Sequence, residues 1–436
     1  MKYYVKLTIL LGLLWGFIAV QRVVIAVIMP VIQKDMKLNY TDVGLILGAT
    51  GLAWAFGTVI WAAIGDKWGR RPVIAITAIL AAGFSWLTGT VYTLGALLLI
   101  RGALGFFEGG PWSPALATLG EESPPKRRGL MISFIPGSFE FIGVFIGPIV
   151  AVWLLGAFGS WRPVFYILSI PAAFLGLITL YVMREPPSMA ETIAMRKRGE
   201  KKVVYQQGAK VRLLDVLKYK NVIVSTLNSI PIMAWLWIYT GFSPMFLTKV
   251  HGFDMNQVGI AIAASGLGGC IGIMTMGSIS DHIGRKLSMI ICGLFCGISG
   301  AIVALLPAGA SIGGFLIPFF FWGFFGVGTY PLYLGTLPAE SVPHEFAGTA
   351  VSIPTGVGEI IGAFLMPVVG VLTDKFGLFA PVWLTVVACG LVVVISLFYV
   401  ETAPKKLARM STKPTRDDHL LRAFRGRAAD IQMNAE

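Results

Sequence analysis

Twelve apolar stretches, each near or above the length needed to cross a bilayer, recur along this 436-residue chain. A helix needs about 20 predominantly apolar residues to span the hydrocarbon core. The stretches fall at 7–32, 42–64, 73–92, 94–119, 129–155 and 161–183, then at 221–248, 256–279, 287–306, 311–337, 346–373 and 378–400. Most connections between them are short, which makes neighbouring helices antiparallel. Only 13% of residues are charged, about half the share found in soluble domains, so the solvent of this surface is lipid. The expected fold class is an all-α membrane protein.

The net charge of +13 would suit nucleic acid if it formed one face, but it does not. Of the 35 Lys and Arg, 28 lie in the N-terminus, the 65–72, 120–128, 184–220 and 280–286 segments, and the tail. The alternate loops hold five: Lys34, Lys37, Arg162, Lys249 and Lys375. This is the positive-inside pattern, so both termini are expected in the cytoplasm of a cell-membrane protein, with no nucleic-acid partner. The start, Met1-Lys2-Tyr3-Tyr4-Val5-Lys6 followed by apolar residues to Ile32, lacks an A-x-A-like cleavage site and reads as the first membrane helix.

The four cysteines, Cys270, Cys292, Cys296 and Cys389, all lie within apolar segments, where buried free thiols are the ordinary state. Cys292 and Cys296 have helical spacing, but no His or further Cys lies nearby, so no metal site is expected. His251, His282, His344 and His419 fall in loops or the tail, and no Walker or nucleophile-elbow motif occurs. Neither cofactor nor enzymatic chemistry is indicated.

The long polar segment 184–220 divides the chain into a six-helix bundle over 1–183 and a second over 221–400, with a polar tail at 401–436. The halves repeat at an offset of 215–219 residues. Asp66-Lys67-Trp68-Gly69-Arg70 returns as Asp281-His282-Ile283-Gly284-Arg285, and Gly105-Phe106-Phe107 returns as Gly323-Phe324-Phe325. Gly129, Ser133, Glu140, Gly143 and Pro148 return as Gly348, Ser352, Glu359, Gly362 and Pro367 at one fixed offset. Parallel repeats related by an axis along the membrane normal are a transporter plan that places the substrate near the midplane between the halves.

Gly65-Asp66-Lys67-Trp68-Gly69-Arg70-Arg71-Pro72 resembles the loop 2–3 signature of the major facilitator superfamily, with Ala62 where that signature has its first Gly and His282 at the basic position of the second copy. The resemblance implies twelve transmembrane helices in two pseudo-symmetric six-helix bundles. It also implies a conformational latch at Asp66, Arg70, Arg71, Asp281 and Arg285 that holds the outward-open state. Arg101-Gly102-Ala103-Leu104-Gly105-Phe106-Phe107-Glu108-Gly109-Gly110 is similar to a pattern of the anion:cation symporter family, which includes sialin and bacterial permeases for galactonate and hexuronates. Members of that family tend to carry an Arg midway along the first helix behind an acidic residue; here the pair is Gln21-Arg22.

Five ionisable residues lie well inside apolar stretches: Arg22, Arg101, Glu108, Glu140 and Glu359. A charge there costs at least ~2.5–3.5 kcal/mol even on lenient scales, so each must face the interior, be paired or be neutralised. Arg101 and Glu108 share a helix face roughly 10 Å apart along the axis. A substrate carboxylate fits between them, with the Arg fork meeting it bidentately and Glu108 carrying a proton; the alternative is a static ion pair joining helices one and four. Arg22, beside Gln21, either meets the anion or pairs with Glu108 or Glu140. Glu140 and Glu359 are protonated donors to the substrate, seats for a cationic moiety, or structural pairs, with Glu140 the second candidate for proton coupling. Trp235, Trp237 and Tyr239, with Tyr330 and Tyr333, line or gate the cavity, although Trp235 and Trp237 cannot share a face.

These residues and the resemblance together imply a secondary active transporter that couples a small organic anion to protons by alternating access, acting as a monomer. The rivals are export of cationic or amphipathic compounds against protons, and a transporter-like sensor. The charge pattern makes its own prediction: cysteines introduced at 126–128 or 196–202 should label from the cytoplasm, and at 37 or 249 from outside. External labelling within 196–202 would reverse the topology.

Overall fold

The computed structural model of the protein describes residues 2–198, 213–307, 309–343 and 346–411. Its first half comprises α1 (Tyr3–Val27), α2 (Tyr40–Trp68), α3 (Arg70–Thr88), α4 (Leu94–Glu108 continued by Trp112–Glu122), α5 (Arg128–Phe158) and α6 (Arg162–Val182). The second comprises α7 (Lys220–Lys249), α8 (Met255–Ile283), α9 (Arg285–Leu305), α10 (Ile312–Glu340), α11 (Ala347–Phe376) and α12 (Phe379–Ser396). All except the broken α4 are single runs long and apolar enough to cross a membrane.

The breaks follow from local sequence. The first stretch, expected to run to Ile32, ends at Val27, and a separate helix, Met29–Met36, begins with Pro30 in its first turn, where a missing N–H is harmless. The fourth, expected as one span over 94–119, is interrupted by Gly109-Gly110-Pro111. In α5, Pro136 and Pro148 flank a π-helical stretch, Phe139–Ile146, that carries Glu140. Such widened turns are frequent at functional sites. A second π-helical stretch, Leu332–Thr336, follows Pro331 in α10. Within 184–220, expected as a loop, Pro187–Lys197 and Leu213–Lys218 are helical, and 199–212 lie outside the described residues. The tail is helical over Pro404–Ser411; 412–436, with His419, and 344–345, with His344, also lie outside the described residues.

The repeat is visible as matched ends and matched seams. α2 and α8 each begin with a capping box, Asn39 with Asp42 and Asp254 with Gln257, which satisfies backbone donors the first turn leaves over. Each ends on a glycine with positive φ, Gly69 at 113° and Gly284 at 105°, a conformation costly to any other residue. Within the first half, α2 and α4 pack backbone to backbone: a Cβ on Gly105 would overlap the Thr50 carbonyl, and one on Gly57 the Phe106 carbonyl. The second half repeats both contacts, Gly323 against the Ser265 carbonyl and Gly272 against the Phe324 carbonyl. Lipid-embedded helices gain little from the hydrophobic effect, so close approach through small residues supplies the association energy.

The seams give a direct test. Gly105→Ala and Gly323→Ala should each destabilise the protein by about 1–3 kcal/mol, the usual cost of overpacking. Gly102→Ala, which meets open space, should leave thermal unfolding in detergent unchanged. Equal melting temperatures for all three variants would show that these seams do not stabilise the helix packing within each half.

Candidate functional site

Arg22, about four-fifths of the way along α1, points toward α4. Its Nε donates to Glu108 Oε2 at 3.2 Å. Glu108 closes the first segment of α4 and is fully buried; its Oε1 and the Arg22 Nη2 are buried without a partner among the described residues. The Arg22 guanidinium also lies 4.9 Å from the Trp54 ring and 5.9 Å from the Trp237 ring, within cation–π range. Arg101 sits behind this pair, 1% exposed, donating from Nη1 to the Gln21 carbonyl at 3.1 Å. The Gln21 side chain is itself buried with both amide atoms unpartnered.

Across the midline, Trp237 Nε1 on α7 donates to Glu359 Oε2 on α11 at 3.2 Å. Tyr239 bonds through its hydroxyl to Ser265 of α8 and stacks on Trp235, which packs into Gly326 of α10 rather than facing the centre. The Tyr330 hydroxyl is buried without a partner among the described residues, within electrostatic reach of Glu140, Glu359 and Arg22. Tyr333 is fully buried. Glu140, 5% exposed, rests over Gly269 of α8 and makes no hydrogen bond or ion pair among the described residues.

The structure thus gathers Arg22, Glu108, Glu140, Trp237, Tyr239, Tyr330 and Glu359 at the centre and sets Arg101 and Gln21 one layer behind. A cavity of about 50 Å³ lies between the halves there, lined among others by Arg22, Glu140, Trp237, Tyr239 and Ser265. A larger cavity, about 840 Å³, lies between α5 and α8 and reaches Asp281 and Arg285. These two mark the face that carries the basic turns, here called the basic face.

The turns at that face are each bound within their own half. Arg70 meets Glu121 at 2.6 Å, the backbone N–H groups of Arg70 and Arg71 donate to Glu185, and Arg71 donates to the Leu180 carbonyl, while Asp66 is exposed. In the second half Arg285 meets Asp281 at 2.6 Å and Glu340 at 2.9 Å, and its N–H donates to Glu401. Sequence reasoning passed over Glu121, Glu185 and Glu401, all in polar segments where nothing marks one acid from another. It also missed Trp54, whose only signal was a large aromatic amid glycines and alanines.

The opposite face is closed by bonds between the halves. Asp374, at the end of α11, accepts from the N–H groups of Tyr40 and Thr41 at 3.0 and 2.9 Å and from the Thr41 hydroxyl at 2.6 Å, so a carboxylate of one half caps a helix of the other. Lys249 donates to Gln33 at 2.5 Å. Below them Gly44 and Gly48 of α2 lie against the Met366 and Ala363 carbonyls of α11, and Gly266 of α8 against Val144 of α5. Beside this closure the Trp161 indole and the Arg162 guanidinium bond to Asp35 and hold its carboxyl below the ordinary range.

The sequence profile of the Major Facilitator Superfamily matches residues 11–355. The chain belongs to that family, and it is a membrane transporter rather than an enzyme. Among its relatives, a probable sulfoacetate transporter, SauU, of Cupriavidus necator is 25% identical over 375 residues, covering 83% of this chain and 85% of the relative. A probable 4-methylmuconolactone transporter of Cupriavidus pinatubonensis is 23% identical, covering 84% and 82%. The hexuronate transporter of Bacillus subtilis is 23% identical, covering 61% of each. Among solved structures, an inward-facing, occupied bacterial homologue of the human lysosomal transporter Spinster superposes with a TM-score of 0.70 at 18% identity, covering 92% of this chain and 97% of that one.

The cross-half cap is separately testable. A helix cap contributes about 1 kcal/mol, close to fivefold in an equilibrium. Asp374→Ala should therefore speed hydrogen–deuterium exchange around Tyr40 and Thr41 about fivefold, with exchange at the matching Asp254 cap of α8 unchanged. Unaltered exchange at Tyr40 and Thr41 would show that the cap does not hold the face closed.

Proposed function

We propose that this protein is a proton-coupled symporter of a small organic anion, a carboxylate such as a sugar acid or another monoacid, working by alternating access as a monomer. The observation that carries the reading is the shared guanidinium of Arg22: one nitrogen bonds Glu108 while another is buried without a partner beside the central cavity. An anion entering a dry cavity must replace its lost hydration with fixed donors, and Arg22 is the cation lining this one. The relatives named for hexuronate and, as a probable assignment, for sulfoacetate carry organic acids in their names, a hexuronate being a monocarboxylate and sulfoacetate adding a sulfonate.

The pair also supplies a coupling step. With Glu108 ionised, its attraction holds Arg22 and competes with an incoming carboxylate. A proton on Glu108 cancels that attraction and frees the guanidinium for bidentate contact with the substrate. Loss of the proton restores the pair and expels the anion. Substrate and proton are then bound together and released together, and Arg101, behind Glu108, contributes positive charge that eases the release. Glu140 is the second candidate proton carrier.

By the positive-inside pattern the basic face and both termini are cytoplasmic, so the closed opposite face is external and the larger cavity is the inward path. Residues 184–220 then link the bundles 1–183 and 221–400 on the cytoplasmic side, with the tail at 401–436. The turns at Asp66, Arg70, Arg71, Asp281 and Arg285 latch the outward-open state.

In proteoliposomes Glu108→Gln should abolish proton-driven accumulation but keep binding and exchange, because the amide mimics the protonated side chain. Arg22→Lys should weaken anion binding roughly tenfold to a hundredfold, the worth of a charge-assisted hydrogen bond, and Arg22→Ala should bind none. The probes are sulfoacetate, a hexuronate and short monocarboxylates. Near-native affinity in Arg22→Ala would instead favour export of cations; accumulation by Glu108→Gln would move the coupling role to Glu140.

A further inference from the structure

Glu140 is the buried charge that the coupling scheme leaves without a fixed partner. Arg22 and Glu108 pair with each other, Arg101 is turned to the Gln21 carbonyl, and Glu359 accepts from Trp237. Glu140 alone of the five accepts and donates nothing among the described residues, although it is only 5% exposed. Its neighbours are Gly269, Phe139, Val144 and Tyr239, whose hydroxyl is committed to Ser265, and the unpartnered Tyr330 hydroxyl. Glu140 and Arg22 line the same small cavity.

A carboxylate in that position is met by a proton, a hydroxyl or a cation. A proton alone gives a donor whose nearest free acceptor is the Tyr330 hydroxyl, and buried donors are costly when unpaired. A cation on the ligand settles the charge, and the aromatic rings of Phe139, Trp237 and Tyr239 around the cavity suit an ammonium group. At about 50 Å³ the cavity has room for only about four waters, so the two charged ends must be close together. Resting on the assignment of Arg22 as the carboxylate seat, we propose that the substrate is a compact zwitterion whose cationic end binds Glu140 while its carboxylate binds Arg22. The ammonium then occupies the place a second proton would take, and Glu108 is left as the proton carrier.

Isosteric probes decide this on the unmodified protein. Glycine, glycolate and propanoate place an ammonium, a hydroxyl and a methyl on the same two-carbon acid. Trimethylglycine and 3,3-dimethylbutanoate do the same for a methylated cation and its carbon analogue. Ligand binding raises apparent stability by mass action, so thermal shifts of the purified full chain yield affinities. The zwitterion should bind its site roughly tenfold to a hundredfold more tightly than its uncharged-tail isostere in at least one series, as expected for a charge-assisted contact. In Glu140→Gln the preference should vanish while binding of the plain acid persists.

Equal or weaker binding of the zwitterions overturns the proposal and leaves the anion reading standing. Preference for glycolate does the same and recasts Glu140 as a partner for hydroxyls. Binding of tetramethylammonium, with no carboxylate probe bound, overturns the anion reading itself and this proposal with it, whereas binding of none of the probes overturns this proposal and leaves the anion reading to the larger acids. A Glu140→Gln protein that keeps the full zwitterion preference also defeats the assignment.

Discussion

The Arg22–Glu108 pair sits where a lone charge would be hardest to keep. Neither side chain is tolerable by itself in a dry helix bundle, and removing one partner leaves the other uncompensated. The pair therefore fixes how α1 meets α4, beside the break that Gly109-Gly110-Pro111 makes in α4: Glu108 is the last residue before it. Arg101 and Gln21 are placed in turn by that junction, since the Arg101 guanidinium reaches the Gln21 carbonyl one residue before Arg22. The rings of Trp54 and Trp237 close over the remaining face of the guanidinium.

Around this centre the helices are held by shape more than by polarity. Glycines bring backbones into contact within each half at Gly57, Gly105, Gly272 and Gly323, and between halves at Gly44, Gly48 and Gly266. The first group makes each bundle stiff. The second lies toward the external end of α2 and α8 in the proposed orientation, together with the Asp374 cap. The ion pairs of the basic face, by contrast, stay within one half each. Two stiff bodies joined at one end satisfy the mechanical requirement of a rocking transporter.

Much of this was legible in the sequence, and the omissions have physical causes. Apolar length and Lys/Arg placement are summed over many residues, so the twelve elements emerged within a few positions. The five intramembrane charges stood out because each is expensive. Which charge meets which stayed open, because helix spacing places Arg101 and Glu108 on one face without saying which way that face turns; of the partners the sequence offered Arg22, an anion, Glu108 or Glu140, the structure has Glu108. The interruption at Ile28 was blurred because an apolar average does not register so short a turn, whereas Pro111 and Pro114 marked the fourth helix as one that can bend or break, as it does at Gly109-Gly110-Pro111. Asp374 escaped notice for the opposite reason: it reads as an ordinary surface acid until α2 is set against it.

The two halves hold their matched seams at corresponding positions, yet they have parted where charge is concerned. At the offset of 215 that relates Thr50 to Ser265, Arg22 corresponds to Trp237; at the 218 that relates Gly105 to Gly323, Arg101 corresponds to Phe319 and Glu108 to Gly326. A duplicated unit has kept its scaffold and divided its labour. One copy supplies the guanidinium chemistry, and the other has given up all three charges for an aromatic wall and the glycine that admits Trp235. Of the five intramembrane charges only the carboxylates of Glu140 and Glu359 stand at one position in both copies, so a ligand between them meets unlike surfaces and has one preferred way round.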